Sequence, residues 1–265
     1  IQKNQVGANS ARLLMLGTLL LFPWAFVAIL AAGLPQLYAN QHLRKISARY
    51  ADDEQPADPV VRREILAIVR RTLPDAIYYC LAGQLTVWLI SIFGSTNAVA
   101  EIGALGRLVV ITTLLSTLFA TLVLPRFARL PAVSSLLTSR FVQIQLGLLV
   151  LCVCLVGLVW LFSAQILWIL GPSYGNLNDE LVLSMIGGCL SFMAGSLFFL
   201  CTSRGWVINP VVTISISVCS IVGAALLIDV STLRGILWLN IAVAVGQVLI
   251  HATYSLIRLR RSAFE

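Results

Sequence analysis

Residues 101–131 read EIGALGRLVVITTLLSTLFATLVLPRFARLP, and the fold class follows from this stretch. Its middle is an unbroken apolar run, and about 20 apolar residues suffice to cross a bilayer as a helix. One arginine, Arg107, stands near its start, and Pro125-Arg126-Phe127-Ala128-Arg129-Leu130-Pro131 closes it. A guanidinium at the mouth of such a helix is costly unless something polar meets it. Arg107 is therefore the first candidate for function.

The rest of the chain has the same character. Of its 265 residues, 59% are hydrophobic and only 11% charged, against roughly 25% charged in ordinary soluble domains. The composition predicts an all-α polytopic membrane protein. A net charge of +7 would suggest nucleic acid in a soluble protein. In a membrane protein, basic residues collect in cytoplasmic loops and face anionic headgroups, so lipids rather than nucleic acid are the expected partners. Cys80, Cys152, Cys154, Cys189, Cys201 and Cys219 lie in or beside apolar segments with no histidine at metal-ligand spacing. They read as small buried hydrophobes, with no disulfide framework, metal or cofactor expected. The chain opens at Ile1 rather than a methionine and shows no cleavable signal peptide, so we expect a fragment whose N-terminal part is missing.

About seven crossings are predicted. The first covers residues 11–38, with Pro23 and Pro35 inside it. Residues 39–71 form the one long polar stretch, basic at both ends around Asp52, Asp53, Glu54 and Asp58, with Pro56 and Pro59 among them. It reads as a solvated linker rather than a metal site. Within it, VVRREILAIVRR (residues 60–71) reads as an interfacial helix leading into the membrane. The second crossing covers residues 73–94, with Pro74 and Asp75 in its first turn, where the helix dipole favours an anion. That structural account of Asp75 competes with a role in ion coupling, for which Asp75 is the candidate residue. The stretch quoted above is the third crossing.

Residues 141–170, 181–201, 211–228 and 235–257 supply the remaining four. The fourth is longer than one crossing needs, so tilt or an interfacial last turn is expected. The fifth carries Gly187, Ser191 and Gly195 four apart, a small-residue face for close helix packing. Three regions result: residues 1–39, a helix ending one lobe; residues 40–71, a cytoplasmic linker; and residues 72–265, a six-helix lobe. If the linker is inside, the other side keeps only Lys3, Arg12, Arg107 and Arg234 of the 18 basic residues. The positive-inside rule thus predicts a cytoplasmic C-terminus.

No catalytic constellation is visible: no phosphate-binding loop, no Gly-x-Ser-x-Gly, no metal-spaced histidines. We read His251, one turn after Gln247, as a packed or headgroup-facing residue in preference to a proton relay. At 100° per residue, Gly103, Arg107, Thr117 and Thr121 share one helix flank, with Gly106 and Thr113 alongside. A basic group above glycine and threonine suits the wall of a wet cavity that admits an anion. Two other readings stay open: Arg107 snorkels to the outer headgroups, or it pairs with Glu101. The cavity reading is preferred because arginine matches phosphate so well.

Three motifs resemble the oligosaccharide (O-antigen) flippases of the multidrug/oligosaccharidyl-lipid/polysaccharide exporter superfamily. They are Arg70-Arg71-Thr72-Leu73-Pro74 at a helix opening, the Gly103-x-x-Gly106-Arg107 helix closing on Leu124-Pro125-Arg126-Phe127-Ala128-Arg129-Leu130, and Ile169-Leu170-Gly171-Pro172-Ser173-Tyr174 before a new apolar helix. The resemblance spans most of the chain through short, degenerate motifs. It implies two related lobes joined by a cytoplasmic linker, this chain holding the last helix of the first lobe and all of the second. The first five or so helices are absent, so the chain either derives from a longer protein or is non-functional alone.

The implied activity is alternating-access transport of a polyprenyl-diphosphate-linked oligosaccharide across the bacterial cytoplasmic (inner) membrane, for surface polysaccharide such as lipopolysaccharide O-antigen. Arg107 would meet the diphosphate, with Thr117 and Thr121 below it, and the N-terminal lobe helices would be partners. Two alternatives are weighed. A drug/cation antiporter of the same superfamily wants acidic residues inside the helices, where only Asp75 and Asp229 come near. A membrane-embedded glycosyltransferase or polysaccharide polymerase wants a catalytic loop, and the outer loops are short.

Overall fold

The computed structural model describes residues 25–50, 58–131, 134–171, 174–206 and 208–261. Among the described residues all regular structure is helical. We number the helices α1 (Ala25–Tyr50), α2 (Pro59–Phe93), α3 (Thr96–Leu108), α4 (Val110–Leu118), α5 (Leu124–Ala128), α6 (Ser134–Leu161), α7 (Ser163–Leu170), α8 (Asn178–Thr202), α9 (Pro210–Leu227) and α10 (Leu233–Arg261). Among the described residues six spans are long and apolar enough to cross a membrane: Ala76–Phe93, Asn97–Ala128, Ser135–Leu161, Asn178–Thr202, Pro210–Leu227 and Leu233–Arg258. They correspond to the second to seventh expected crossings. The first begins in residues 11–24, which lie outside the described residues.

The chain divides into two compact units, Ile1–Ile65 and Leu66–Glu265, a boundary inside the stretch expected to be the linker. Most of that stretch is helical: α1 continues to Tyr50, and α2 runs from Pro59 into the apolar span. Residues 51–57, with Asp52, Asp53 and Glu54, lie outside the described residues. Pro74 therefore sits inside α2 and not in a first turn. The helix-dipole account of Asp75 fails with it, because the positive end of the helix is four turns earlier. The Asp75 side chain lies outside the described residues.

In the second unit, α8 and α10 are the most enclosed, with 44% and 39% of their spans buried against 11% for α6. Helices α3 to α7 and α10 all touch α8, while α9 packs on α10. Leu105, Phe119, Phe141, Leu167, Met185 and Leu200 belong to the core, with Phe119 edge-on to Phe192 at 6.2 Å. A second small cluster, Ile90, Ala98 and Ile236, joins the end of α2 to the starts of α3 and α10. Large apolar side chains cover the outside, among them Leu146, Leu149, Val150, Val153 and Leu158 of α6. Such an exterior suits a hydrocarbon surround and not water. Inside, Gln145 of α6 donates to the Ser196 hydroxyl of α8 at 3.1 Å, an interhelical polar tie.

The helix ends follow from local chemistry. Ser95 caps α3 by accepting from the Ala98 N–H at 3.2 Å. Asn209 caps α9 through the Val211 N–H, with Pro210 in the first turn, where its missing N–H costs nothing. The expected single helix over 141–170 is instead broken at Phe162 between α6 and α7. Gly171, at φ +119°, ends α7 in a conformation that disfavours other residues.

The span over 97–128 is not one regular helix either. At Val109 it tightens by one turn, the Thr112 N–H and hydroxyl both donating to the Val109 carbonyl at 2.9 and 2.7 Å. Between Phe119 and Val123 it widens into a π-turn, the Leu124 N–H reaching back five residues to Phe119. Pro125 explains the widening: it has no N–H to offer Thr121, and its ring crowds that carbonyl.

Candidate functional site

A cavity of about 870 Å³ opens within the second unit, in the upper part of the roughly 300–1,000 Å³ range of ligand pockets. Four walls carry its polar groups. Tyr78 and Tyr79 come from α2, Thr112, Thr113 and Ser116 from α4, Ser184 and Ser191 from α8, and Asn240, Gln247 and His251 from α10. Helix periodicity brings the last three together, because positions seven and four apart return to the same face.

Glycines set the spacing of the walls. A Cβ at Gly188 would stand 3.0 Å from Val109 and 3.3 Å from Thr112, so α8 meets α4 closely at the tightened turn. Gly187, Ser191 and Gly195 behave differently from the expected packing face. They border the cavity, and Gly195 has nothing within 4 Å of where a Cβ would be. The close-packing glycine is the neighbour, Gly188.

Two hydroxyls of the α4 wall donate to backbone carbonyls about one turn back. Ser116 donates to the Thr112 carbonyl at 2.9 Å, and Thr112 to Val109 as above. Each keeps its oxygen lone pairs for an incoming donor. His251 is 3% exposed and lies edge-on to Phe198 at 5.6 Å. Its backbone carbonyl accepts from Ser255 at 2.6 Å, while its Nδ1 is buried without a hydrogen-bond partner. A buried polar atom left in that state costs about 1–3 kcal/mol. Sequence reasoning saw Gln247 and His251 one turn apart but not the cavity they face. Asn240, seven residues before Gln247, was the overlooked signal.

The residues singled out from sequence are not gathered at one place. Arg107 is in the last turn of α3 and exposed, next to Gly106, which does line the cavity. Among the described residues the one ion pair is Arg234–Asp179, so Arg107 is not bridged to Glu101. Thr117 and Thr121 are exposed and donate to the carbonyls of Thr113 and Thr117 at 2.9 and 2.6 Å. The cavity lining includes neither threonine, nor Arg107 itself. Of the expected flank, Gly106 and Thr113 face the cavity, on a stretch whose rotation is set by the turn at Val109.

No Asp, Glu, Lys or Arg lines the cavity among the described residues. No group of three or more His, Cys, Asp or Glu there could hold a metal ion. What remains is a neutral, hydrogen-bonding chamber in an apolar bundle. Compared with family models, curated proteins and solved structures, the chain has no significant match to any.

Proposed function

We propose that the six-helix unit is one lobe of a flippase, which carries a polyprenyl-diphosphate-linked oligosaccharide across the bacterial cytoplasmic membrane by alternating access. A second lobe, formed with N-terminal helices, would complete the path, and the C-terminus would face the cytoplasm. The observation that carries this reading is the polar cavity inside a bundle whose exterior is apolar. A transporter of a hydrophilic head on a lipid tail needs that inversion, with wet chemistry inside and hydrocarbon outside. Arg107, exposed beside Gly106 of the lining, is the cation for the diphosphate in this scheme. A drug/cation antiporter would want a carboxylate in the chamber, and among the described residues none lines it.

The test is replacement of Arg107 by alanine in the complete protein. Surface glycan export should be lost while the amount of protein in the membrane stays unchanged. Arg107→Lys should keep part of the activity, retaining charge without the bidentate geometry. Normal surface polysaccharide in the alanine variant would overturn the assignment.

A further inference from the structure

We propose that the cavity between α2, α4, α8 and α10 binds the uncharged sugar units of a glycan and leaves any phosphate group outside. The inference rests on the flippase reading only for how the sugar arrives.

Charge decides what the chamber excludes. With no basic residue in its lining among the described residues, a diphosphate placed inside would lose its water and gain no counter-ion there. Burying an unpaired anion costs at least several kcal/mol. Arg107 is exposed, one residue from Gly106 of the lining. A phosphate attached to the first sugar could meet it there while the sugar itself went in.

The polar groups decide what the chamber accepts. Every pyranose hydroxyl is both a donor and an acceptor. The side-chain amide of Gln247 offers both functions together, and Thr112 and Ser116 offer acceptor oxygens because their protons are already committed. The buried Nδ1 of His251 has no partner within the protein, so a ligand hydroxyl there would relieve an existing cost. Tyr78 and Phe198 add aromatic faces for the C–H face of a ring. Asn240 to His251 are eleven residues apart, about 16 Å along a helix, which is longer than one ring needs. The chamber thus has the length, neutrality and donor–acceptor density of a short-oligosaccharide site.

The experiment uses the full chain in lipid nanodiscs and saturation-transfer NMR. The probes are three neutral trisaccharides (maltotriose, chitotriose and mannotriose) and inorganic pyrophosphate as competitor. At least one trisaccharide should receive saturation, and pyrophosphate should not displace it. Gln247→Leu and His251→Phe should each weaken binding at least about tenfold, equal to 1.4 kcal/mol, and His251→Gln should weaken it less. Thermal unfolding identifies which variants are folded, and Gln247→Ala replaces any that are not. No saturation of any trisaccharide, displacement by pyrophosphate, or unchanged binding in the folded variants would overturn the proposal. If the trisaccharides bind but Arg107→Ala leaves glycan export normal, the assignment of the diphosphate fails and this one stands.

Discussion

Arg204 Nη2 donates to the Leu130 carbonyl oxygen at 2.6 Å, although 74 residues separate them. The same nitrogen reaches the Phe127 carbonyl at 3.1 Å, and the guanidinium stands 5.5 Å from the centre of the Phe127 ring. One side chain thus closes the exit of α5 and ties it to the end of α8. Hydrogen bonds from a charged donor contribute about 1.5–3 kcal/mol each, so Arg204→Met should destabilise the protein by about 2–3 kcal/mol. Arg204→Lys should restore part of it, since an ammonium lacks the planar fork. Thermal unfolding in detergent measures both, and an unshifted midpoint for the methionine variant would refute the latch.

The contrasting arginine is Arg234. It meets Asp179 at 3.3 Å, but both side chains are well exposed, at 59% and 74%. An exposed pair contributes at most about 1 kcal/mol, so Arg234→Gln should leave the unfolding midpoint nearly unchanged. A loss as large as that of Arg204→Met would show that the α8–α10 contact depends on this pair.

Gly235 has no room for a side chain. A Cβ there would run into the Asp229 carbonyl oxygen, where only backbone could give way. Gly235→Ala should cost about 2–4 kcal/mol through the displaced α9–α10 connection. Gly195→Ala, with open space around it, should change stability by well under about 1 kcal/mol. Comparing the two midpoints separates steric demand from the general effect of removing a glycine.

Acid should loosen the same connection. The Asp229 carboxylate accepts from the Ser231 hydroxyl at 2.6 Å and from its N–H at 3.0 Å, which holds its pKa below the ordinary value. A carboxyl lowered on folding stabilises the fold above its unfolded pKa, about 3.9, and that contribution disappears as pH falls through the folded pKa. Asp229→Asn should therefore flatten the pH dependence of stability below about pH 4. An identical acid profile in the variant would contradict this.

Orientation can be read by single-cysteine labelling after the native cysteines are replaced by serine. The charge distribution predicts that a cysteine at Asn178 reacts from outside, and one at Ser134 only from inside. The reverse pattern would invert the topology and place Arg107 at the cytoplasmic face.

Elements set by composition and by local caps were legible from sequence. Five of the apolar spans were placed to within about four residues, because long hydrophobic runs leave little choice, whereas the one expected over 141–170 runs from Ser135 to Leu161. The break after Leu170 was placed correctly, since glycine and proline act on their own turn. The extent of α2 was misjudged at Pro74, which looked like a boundary, but a proline inside a helix forfeits one hydrogen bond without ending it; Pro59 does open the helix. The cavity was only half visible. Glycines 187 and 195 looked like a packing face because the sequence does not say whether a partner fills the space opposite. The face formed by Asn240, Gln247 and His251 follows from spacing alone, but its meaning depends on α2 and α4, which arrive from elsewhere in the chain. Thr117 and Thr121 were grouped with Arg107 on a single helical wheel, and the turn at Val109 makes that wheel two.

The π-turn over Phe119–Val123 amounts to one residue more than an α-helix would use for the same advance. Deleting a residue there would restore ordinary winding and swing everything beyond it by about 100°. Phe127 would then leave Phe141, its neighbour at 6.3 Å, and carry its carbonyl away from Arg204. The extra residue therefore acts as a phase correction. It lets the half of the span that faces the cavity and the half that meets the latch each keep the rotation its own neighbours require.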